Sequence, residues 1–437
     1  MLNILQLDAL NKVKEGKSIF LTGAPGVGKS FLLSKIVEYL KETDIKYGIT
    51  ALTGCAALLI KGQTLHSFLG IGLGNSSTDT LVKKVEKNGK VYNKIKELQL
   101  LIIDEISMMN DNFFEKISSV IKSIKKNNKP FGNIQLVLVG DFCQLPPVDG
   151  KYCFESKLWK ELNIIKIELK EIIRQKDDND FQTILNSIRN GKITKKSYNK
   201  LLSLQNTEFN SSIIPTKLYC LNIDVDKINN NNFDIQYCTN INLDLLNKNN
   251  NLENIKIDNT IECYYGQTLE EYNIDIPDNE KIYRYNCYTN DKKTDKSKYN
   301  ISLIKNLQVM VNRNINLDLG LVNGTRGIIT SLNEKYVIIK DINNNLHKID
   351  YYRDGNDNDL TYNIFMPLSL AYSLTVHKAQ GCTLDAVEID ASNNNFAPGQ
   401  LYTALSRAKK MENIKLVNLD KEAFLINKNV LSYYNND

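Results

Sequence analysis

Three short apolar runs in the first third of the chain each stop at a glycine or an acid, and helical spacing follows the first two. "SIFLTGAPGVGKSFLLSKIVEYL" (18–40) opens with a β-branched and aromatic run and breaks at glycines. It then sets Leu32, Leu33, Ile36, Val37 and Leu40 on one helical side. "LQLLIIDEISMMN" (98–110) ends its apolar run at Asp104-Glu105. Phe113, Phe114, Ile117, Val120, Ile121 and Ile124 then mark a helix as far as "KKNNKP". "IQLVLVG" (134–140) reads as a third central strand, and "DFCQLPPV" follows it as a loop braced by Pro146 and Pro147. Strands alternating with helices predict an α/β unit with a parallel sheet, whose ligands lie at the carboxyl ends of the strands. Elsewhere asparagine clusters interrupt the pattern. "INNNNFD" (228–234), "LLNKNNNLENI" (245–255) and "DINNNLHKID" (341–350) are expected as loops or poorly ordered insertions.

Composition changes this picture little. At 437 residues the chain can bury a real core and should divide into two or more domains. A hydrophobic share of 42% and a charged share of 24% fit an ordinary globular protein. The net charge of +5 leaves any nucleic-acid footprint to local charge. Eight cysteines without a CxxC pair argue against zinc or a secreted disulfide framework and fit a reducing, intracellular compartment. No apolar run reaches the roughly 20 residues of a membrane span, so no membrane partner is expected. The N-terminal stretch lacks a signal-peptide layout.

The candidate chemistry sits at the strand ends. Gly23, Ala24, Pro25, Gly26, Val27, Gly28, Lys29 and Ser30 form a complete Walker A pattern between a strand and a helix. Glycines there let backbone N–H groups surround phosphate oxygens at the positive end of a helix. Lys29 would reach the β and γ phosphates of ATP, and Ser30 would ligate Mg²⁺. Asp104 is placed to hold the same Mg²⁺ and Glu105 to activate water, although two acids there could equally cap the next helix. Asp141 and Gln144 should emerge where the phosphates lie. A glutamine amide both donates and accepts, so Gln144 is read as a sensor of the γ phosphate.

The order of the motifs resembles the PIF-type family of superfamily-one DNA helicases, related to the RecD-like enzymes. The segments are "FLTGAPGVGKS", "ITALTGCAALLIKGQTLHSFLGIGLG", "LIIDEISMMN", "LVLVGDFCQLPPV", "ELKEIIRQKDDNDFQTILNSIRNG", "LVNGTRG", "LAYSLTVHKAQGCTLD" and "GQLYTALSRAKK". The resemblance implies two RecA-like P-loop NTPase motor domains with parallel sheets plus small inserted accessory domains, one an SH3-like barrel. It implies motor domain one over 1–165, with a separating wedge at 70–97. Motor domain two would occupy 166–240 and 361–437 around an accessory segment at 241–360. Gln6 would recognise adenine. Arg174 would be a phosphate ligand, Arg407 an arginine finger, and Gln380 a neighbour of ATP. Thr53, Thr64 and His66 would donate to single-stranded DNA, and Phe68 would either stack on a base or lie in the core. His377 and Lys378 would add DNA contacts, and Arg326 would either touch DNA or decorate its turn.

The activity so implied is ATP-dependent unwinding with 5′-to-3′ translocation on single-stranded DNA. Forked or tailed duplex would be the substrate, and replication or repair proteins would be partners. The chain is expected to be a bare motor core, with the nucleus, the cytoplasm and a viral replication compartment all open. Two other classes stand beside this reading: a P-loop ATPase remodelling protein or RNA partners, and a non-catalytic nucleic-acid-binding module.

Overall fold

The three apolar runs become neighbouring strands. In the computed structural model, β1 (Ile19–Gly23), β2 (Tyr47–Ala51), β3 (Gln63–Thr64), β4 (Leu100–Asp104), β5 (Gln135–Val139) and β6 (Ile165–Leu169) form one sheet, ordered β3-β2-β4-β5-β1-β6. Every pairing in it is parallel. Residues 2–72, 74–171, 178–209, 214–219, 225–237, 282–290 and 294–435 are described, except 314, 317–318, 320, 322–323, 342, 355–361 and 393–396.

β1 and β4 are buried along their whole length, which is why they read as unbroken apolar runs rather than as alternation. Helix Lys29–Lys41 lays Leu32, Leu33, Ile36 and Leu40 on one side of this sheet, joined by Ala9, Leu10 and Val13 of helix Ile4–Lys14. Helix Asp111–Lys125 buries Phe114, Ile117, Val120, Ile121 and Ile124. The 70–97 insertion holds two helices, Thr78–Glu86 and Gly89–Glu97, that bury Leu81, Val85 and Ile95. Leu81 and Val85, four residues apart, share one face of the first of these helices.

A second sheet is ordered Ser373–Thr375, Thr216–Tyr219, Val387–Ala391, Ile414–Leu419, and both pairings made by Val387–Ala391 are parallel. Both parallel sheets belong to one unit, comprising Met1–Phe209, Pro215–Cys220 and Leu374–Asp437. Asn210–Ile214 and Leu221–Ser373 form the other, so the accessory segment is wider than 241–360. Its main element is an antiparallel sheet of five strands, ordered Leu346–Asp350, Tyr336–Asp341, Arg326–Leu332, Gln308–Val311 and Leu368–Leu370. Residues 221–373 therefore run past position 360 because Leu368–Leu370 pairs with Gln308–Val311.

One asparagine cluster departs from expectation. "INNNNFD" lies inside a helix over 225–237, not a loop. Ile228, Phe233 and Tyr237 pack on the core of the accessory unit, and Asn229 exchanges two hydrogen bonds with the Ser373 backbone. Tertiary packing outweighs the weak helix propensity of asparagine here. "DINNNLHKID" does turn, with Asp341 accepting the N–H groups of Asn343 and Asn345 between two strands. "LLNKNNNLENI" lies outside the described residues.

Candidate functional site

Beyond β1 the backbone turns through left-handed glycines, Gly26 and Gly28, both at φ 86°. A Cβ at Gly23 would stand 2.3 Å from the Leu169 carbonyl oxygen, so the approach of β1 to β6 requires glycine. Helix Lys29–Lys41 begins at Gly28 with no side-chain cap, which leaves its first N–H groups to phosphate oxygens. Lys29 Nζ turns back to donate to the Gly23 and Ala24 carbonyls at 2.7 and 3.1 Å. Burial lowers its pKa, against the pull of Asp141, Glu105 and Asp104.

At the end of β4, burial and then the neighbouring Glu105 push the Asp104 carboxyl up to about 7, opposed by the Glu105 N–H and by Lys29. Glu105 holds φ 55°, a left-handed backbone that costs an ordinary residue about 1–2 kcal/mol. The acids are not the cap of the following helix. Asn110 caps it, accepting the Phe113 N–H at 2.7 Å. Glu105 Oε2 instead accepts from Gln380 Nε2 at 2.8 Å. Arg407 is buried, donating Nε to Thr403 O at 2.9 Å and Nη2 to Ser406 Oγ at 2.7 Å. Burial lowers its pKa, with Glu105 opposing.

These groups surround one cavity of about 520 Å³, lined by Pro25, Gly26, Gly28, Lys29, Ser30, Asp104, Glu105, Gln144 and Arg407. Phe31, Ala56 and Gly381 also line it and carried no sequence signal beyond adjacency to a motif. Gln144 is 4% exposed, and its side-chain oxygen is buried without a partner among the described residues. The same holds for the oxygen of Gln380. Two acceptors awaiting a proton suit a bound water better than a phosphate oxygen, leaving the Gln144 amide N–H groups to donate. The donor set also fits a hard divalent cation, since a hydroxyl and a buried carboxylate beside a second acid are oxygen ligands. Among the described residues no group of three or more His, Cys, Asp or Glu could hold a metal by itself.

Gln6 does not line this cavity. Its carbonyl accepts the Asn3 N–H in a capping box, and its buried amide nitrogen has no partner among the described residues. Arg174 lies outside the described residues. Asp141 also departs from expectation, because it is fully buried and does not line the cavity. Its carboxylate accepts from Cys143 N at 3.2 Å, Arg189 Nε at 3.2 Å, Tyr402 OH at 3.2 Å and Tyr434 OH at 3.3 Å. Arg189 Nη1 also pairs with Glu168 at 2.6 Å. The partners lie up to 293 positions away along the chain, and sequence spacing gave no sign of them.

The residues expected to face DNA divide. Thr53 and Thr64 accept the N–H groups of Ala56 and Ser67 as helix caps, and each hydroxyl retains its proton for a further acceptor. His66 is half-buried and stacks on Phe113, with ring centroids 4.8 Å apart, beside a hollow of about 340 Å³ that Asn110 and Lys116 also line. Lys378 is exposed and His377 half-buried, its pKa lowered by burial. Phe68 is corrected: it is 6% exposed, beneath Lys94 and against Gly48, so it is a core residue rather than a stacking platform. Arg326 is also corrected. It is 1% exposed within the accessory unit and donates to the Ile214 carbonyl at 2.9 Å, so it serves packing there.

The comparisons with known proteins agree with this geometry. A family profile described as PIF1-like helicase matches residues 1–199, and a second, DNA helicase Pif1 2B domain, matches residues 301–332. The ATP-dependent DNA helicase PIF1 of Xenopus laevis is 32% identical over 97% of this chain. The chain spans 62% of that relative's length. The crystal structure of Pif1 helicase from Candida albicans is 31% identical, covers 100% of this chain and 99% of its own, and superposes with a TM-score of 0.75. Pif1 helicase from Bacteroides in complex with ADP-AlF3 and single-stranded DNA is 25% identical, with a TM-score of 0.64 and coverage of 100% and 97%. Two RecA-like parallel sheets around a phosphate loop, joined to an antiparallel accessory unit, make this chain a member of the PIF1-like helicase family.

Proposed function

We propose that this chain is an ATP-dependent DNA helicase that translocates 5′-to-3′ on single-stranded DNA and opens tailed or forked duplex. One observation carries the reading: the phosphate loop, the acidic pair and Gln144 meet Arg407, from a distant part of the sequence, around one cavity. The relatives' printed activities, and the Bacteroides neighbour's complex with nucleotide and single strand, support extending it to DNA.

Lys29 exchanges its two carbonyl partners for phosphate oxygens when ATP enters. Ser30 and Asp104 would hold Mg²⁺. The cation supplies charge neutralisation on the phosphates. Glu105, held in its left-handed backbone and bonded to Gln380, takes the proton of the attacking water. Gln144 orients that water through its unpaired oxygen. Arg407 neutralises charge as the γ phosphate leaves. The exposure of Lys378 and the place of His66 beside a hollow outside that cavity support reading both as contacts to the strand.

The test is a pair of duplexes differing only in tail. With ATP, the 5′-tailed duplex should open and the 3′-tailed one should stay closed. Opening of both, or of the 3′-tailed one alone, contradicts the polarity. ATP turnover that single-stranded DNA does not raise contradicts the helicase reading itself.

A further inference from the structure

Tyr434, on helix Lys428–Asn435, belongs to no motif of the phosphate site, yet its hydroxyl joins three parts of it. Thr22 Oγ1, one residue before Gly23, lies 2.7 Å from the phenol oxygen. The Phe142 N–H donates to that oxygen at 3.1 Å. The phenol donates to Asp141 at 3.3 Å. A phenol has one proton, and with it directed to the carboxylate, Thr22 and Phe142 are the donors in the other two bonds. The ring itself stacks beneath Arg189, whose guanidinium carbon is 4.8 Å from the ring centre.

The Arg407 segment is fixed to the same loop by two contacts. Tyr402 OH donates to Asp141, and Tyr402 sits on helix Gln400–Leu405, which leads directly into Arg407. The N-cap of that helix, Gly399, lies so close that a Cβ there would stand 2.3 Å from the Gln144 carbonyl oxygen. Any displacement of the Arg407 helix relative to the phosphate loop is therefore felt at Asp141 and along residues 141–144. Tyr434 is the side chain that ties that node to the root of the phosphate loop.

We infer that Tyr434 is a positioning residue, which fixes the Gln144 loop to the phosphate-loop strand through Thr22 and Asp141. Its hydroxyl thereby carries the response of ATP hydrolysis to a bound strand. The inference rests on the helicase reading above. It assigns Tyr434 no contact with ATP and no part in the strand-free reaction.

The experiment measures thermal unfolding and ATP turnover, with and without an oligodeoxythymidylate, for wild type, Tyr434→Phe, Thr22→Val and the double variant. Tyr434→Phe keeps the ring on Arg189 and removes the hydroxyl alone. Its KM for ATP and strand-free turnover should stay within about twofold of wild type, while strand-stimulated turnover falls about tenfold. Thr22→Val should shift the same ratio in the same direction, and the double variant should be no worse than Tyr434→Phe, because the two share one bond. Should Tyr434→Phe fail to fold, Thr22→Val cuts the same link from the other side. An unchanged stimulation ratio overturns the inference and leaves the helicase reading intact. So does a parallel fall in strand-free turnover and unfolding temperature, which marks a purely structural role. A wild type that no strand stimulates overturns both.

Discussion

At the scale of single residues, Glu105 shows how much local geometry one side chain can demand. Its left-handed backbone puts its carboxylate beside Gln380 and facing the cavity, while Asp104 remains at the strand's end. Glu105→Gln preserves size, backbone and a hydrogen bond to Gln380 but removes the base. Nucleotide affinity should change by less than about threefold, while turnover should fall by about 100-fold or more. Binding titration beside steady-state hydrolysis reads both, and near-native turnover would remove Glu105 from the base role. The phosphate-loop residues were legible because their chemistry is local: glycines, a lysine and a hydroxyl within eight positions. Phe68 and Arg326 were not, because a motif shows which residue is present and not which way it faces. An aromatic beneath a lysine and an arginine bonded to a carbonyl inside a small unit look, in sequence, like the same residues at a surface.

Among elements, the helix Gln400–Leu405 is the one whose placement decides the site. Gly399 caps it at φ 81° against the Gln144 carbonyl. Gly16 offers the matched control, with φ 74° at the end of helix Ile4–Lys14 and nothing within 4 Å of its absent Cβ. Gly16→Ala should cost only the backbone term, about 1 kcal/mol, with turnover retained. Gly399→Ala adds a steric conflict with fixed backbone and should cost about 3 kcal/mol or more, with turnover lost. Chemical denaturation of the two, with hydrolysis measured alongside, separates the contributions, and equal losses would mean that close approach matters little. Strands β1, β4 and β5, with the helices after β1 and β4, could be read from the apolar pattern because they are buried, whereas β2, β3 and β6 carry polar or half-buried residues. The helix at 225–237 could not be read either, because its stability comes from Ile228, Phe233 and Tyr237 packing far along the chain.

For the whole molecule, a net charge of +5 spread over 437 residues gives little general attraction to DNA, so binding depends on where individual cations stand. Lys378 is exposed on the short helix Val376–Ala379. Each phosphate neutralised on a single strand contributes about −0.7 to the slope of log affinity against log salt. Lys378→Ala should therefore flatten that slope by about 0.7 and weaken strand binding, with ATP affinity unchanged. Fluorescence anisotropy across a salt series measures it, and an unaltered slope would take Lys378 off the strand. That an accessory segment interrupts the motor was legible from the order of the family motifs, which fall away in the middle of the chain. Its far boundary was not, because the pairing of Leu368–Leu370 with Gln308–Val311 spans sequence that carries no periodic signal.

The seating of Phe68 has a mechanical consequence. Lys94, on the inserted helical pair, rests 3.9 Å over the Phe68 ring, and that ring presses on Gly48 in β2. Strand β2 is hydrogen-bonded to β4, with Ala51 opposite Asp104. The insertion is thus linked through one aromatic ring to the strand that lies beside the Asp104 strand. A Cβ at Gly48 would stand 2.4 Å from that ring, so a substitution there would displace the ring and disturb the link at its middle.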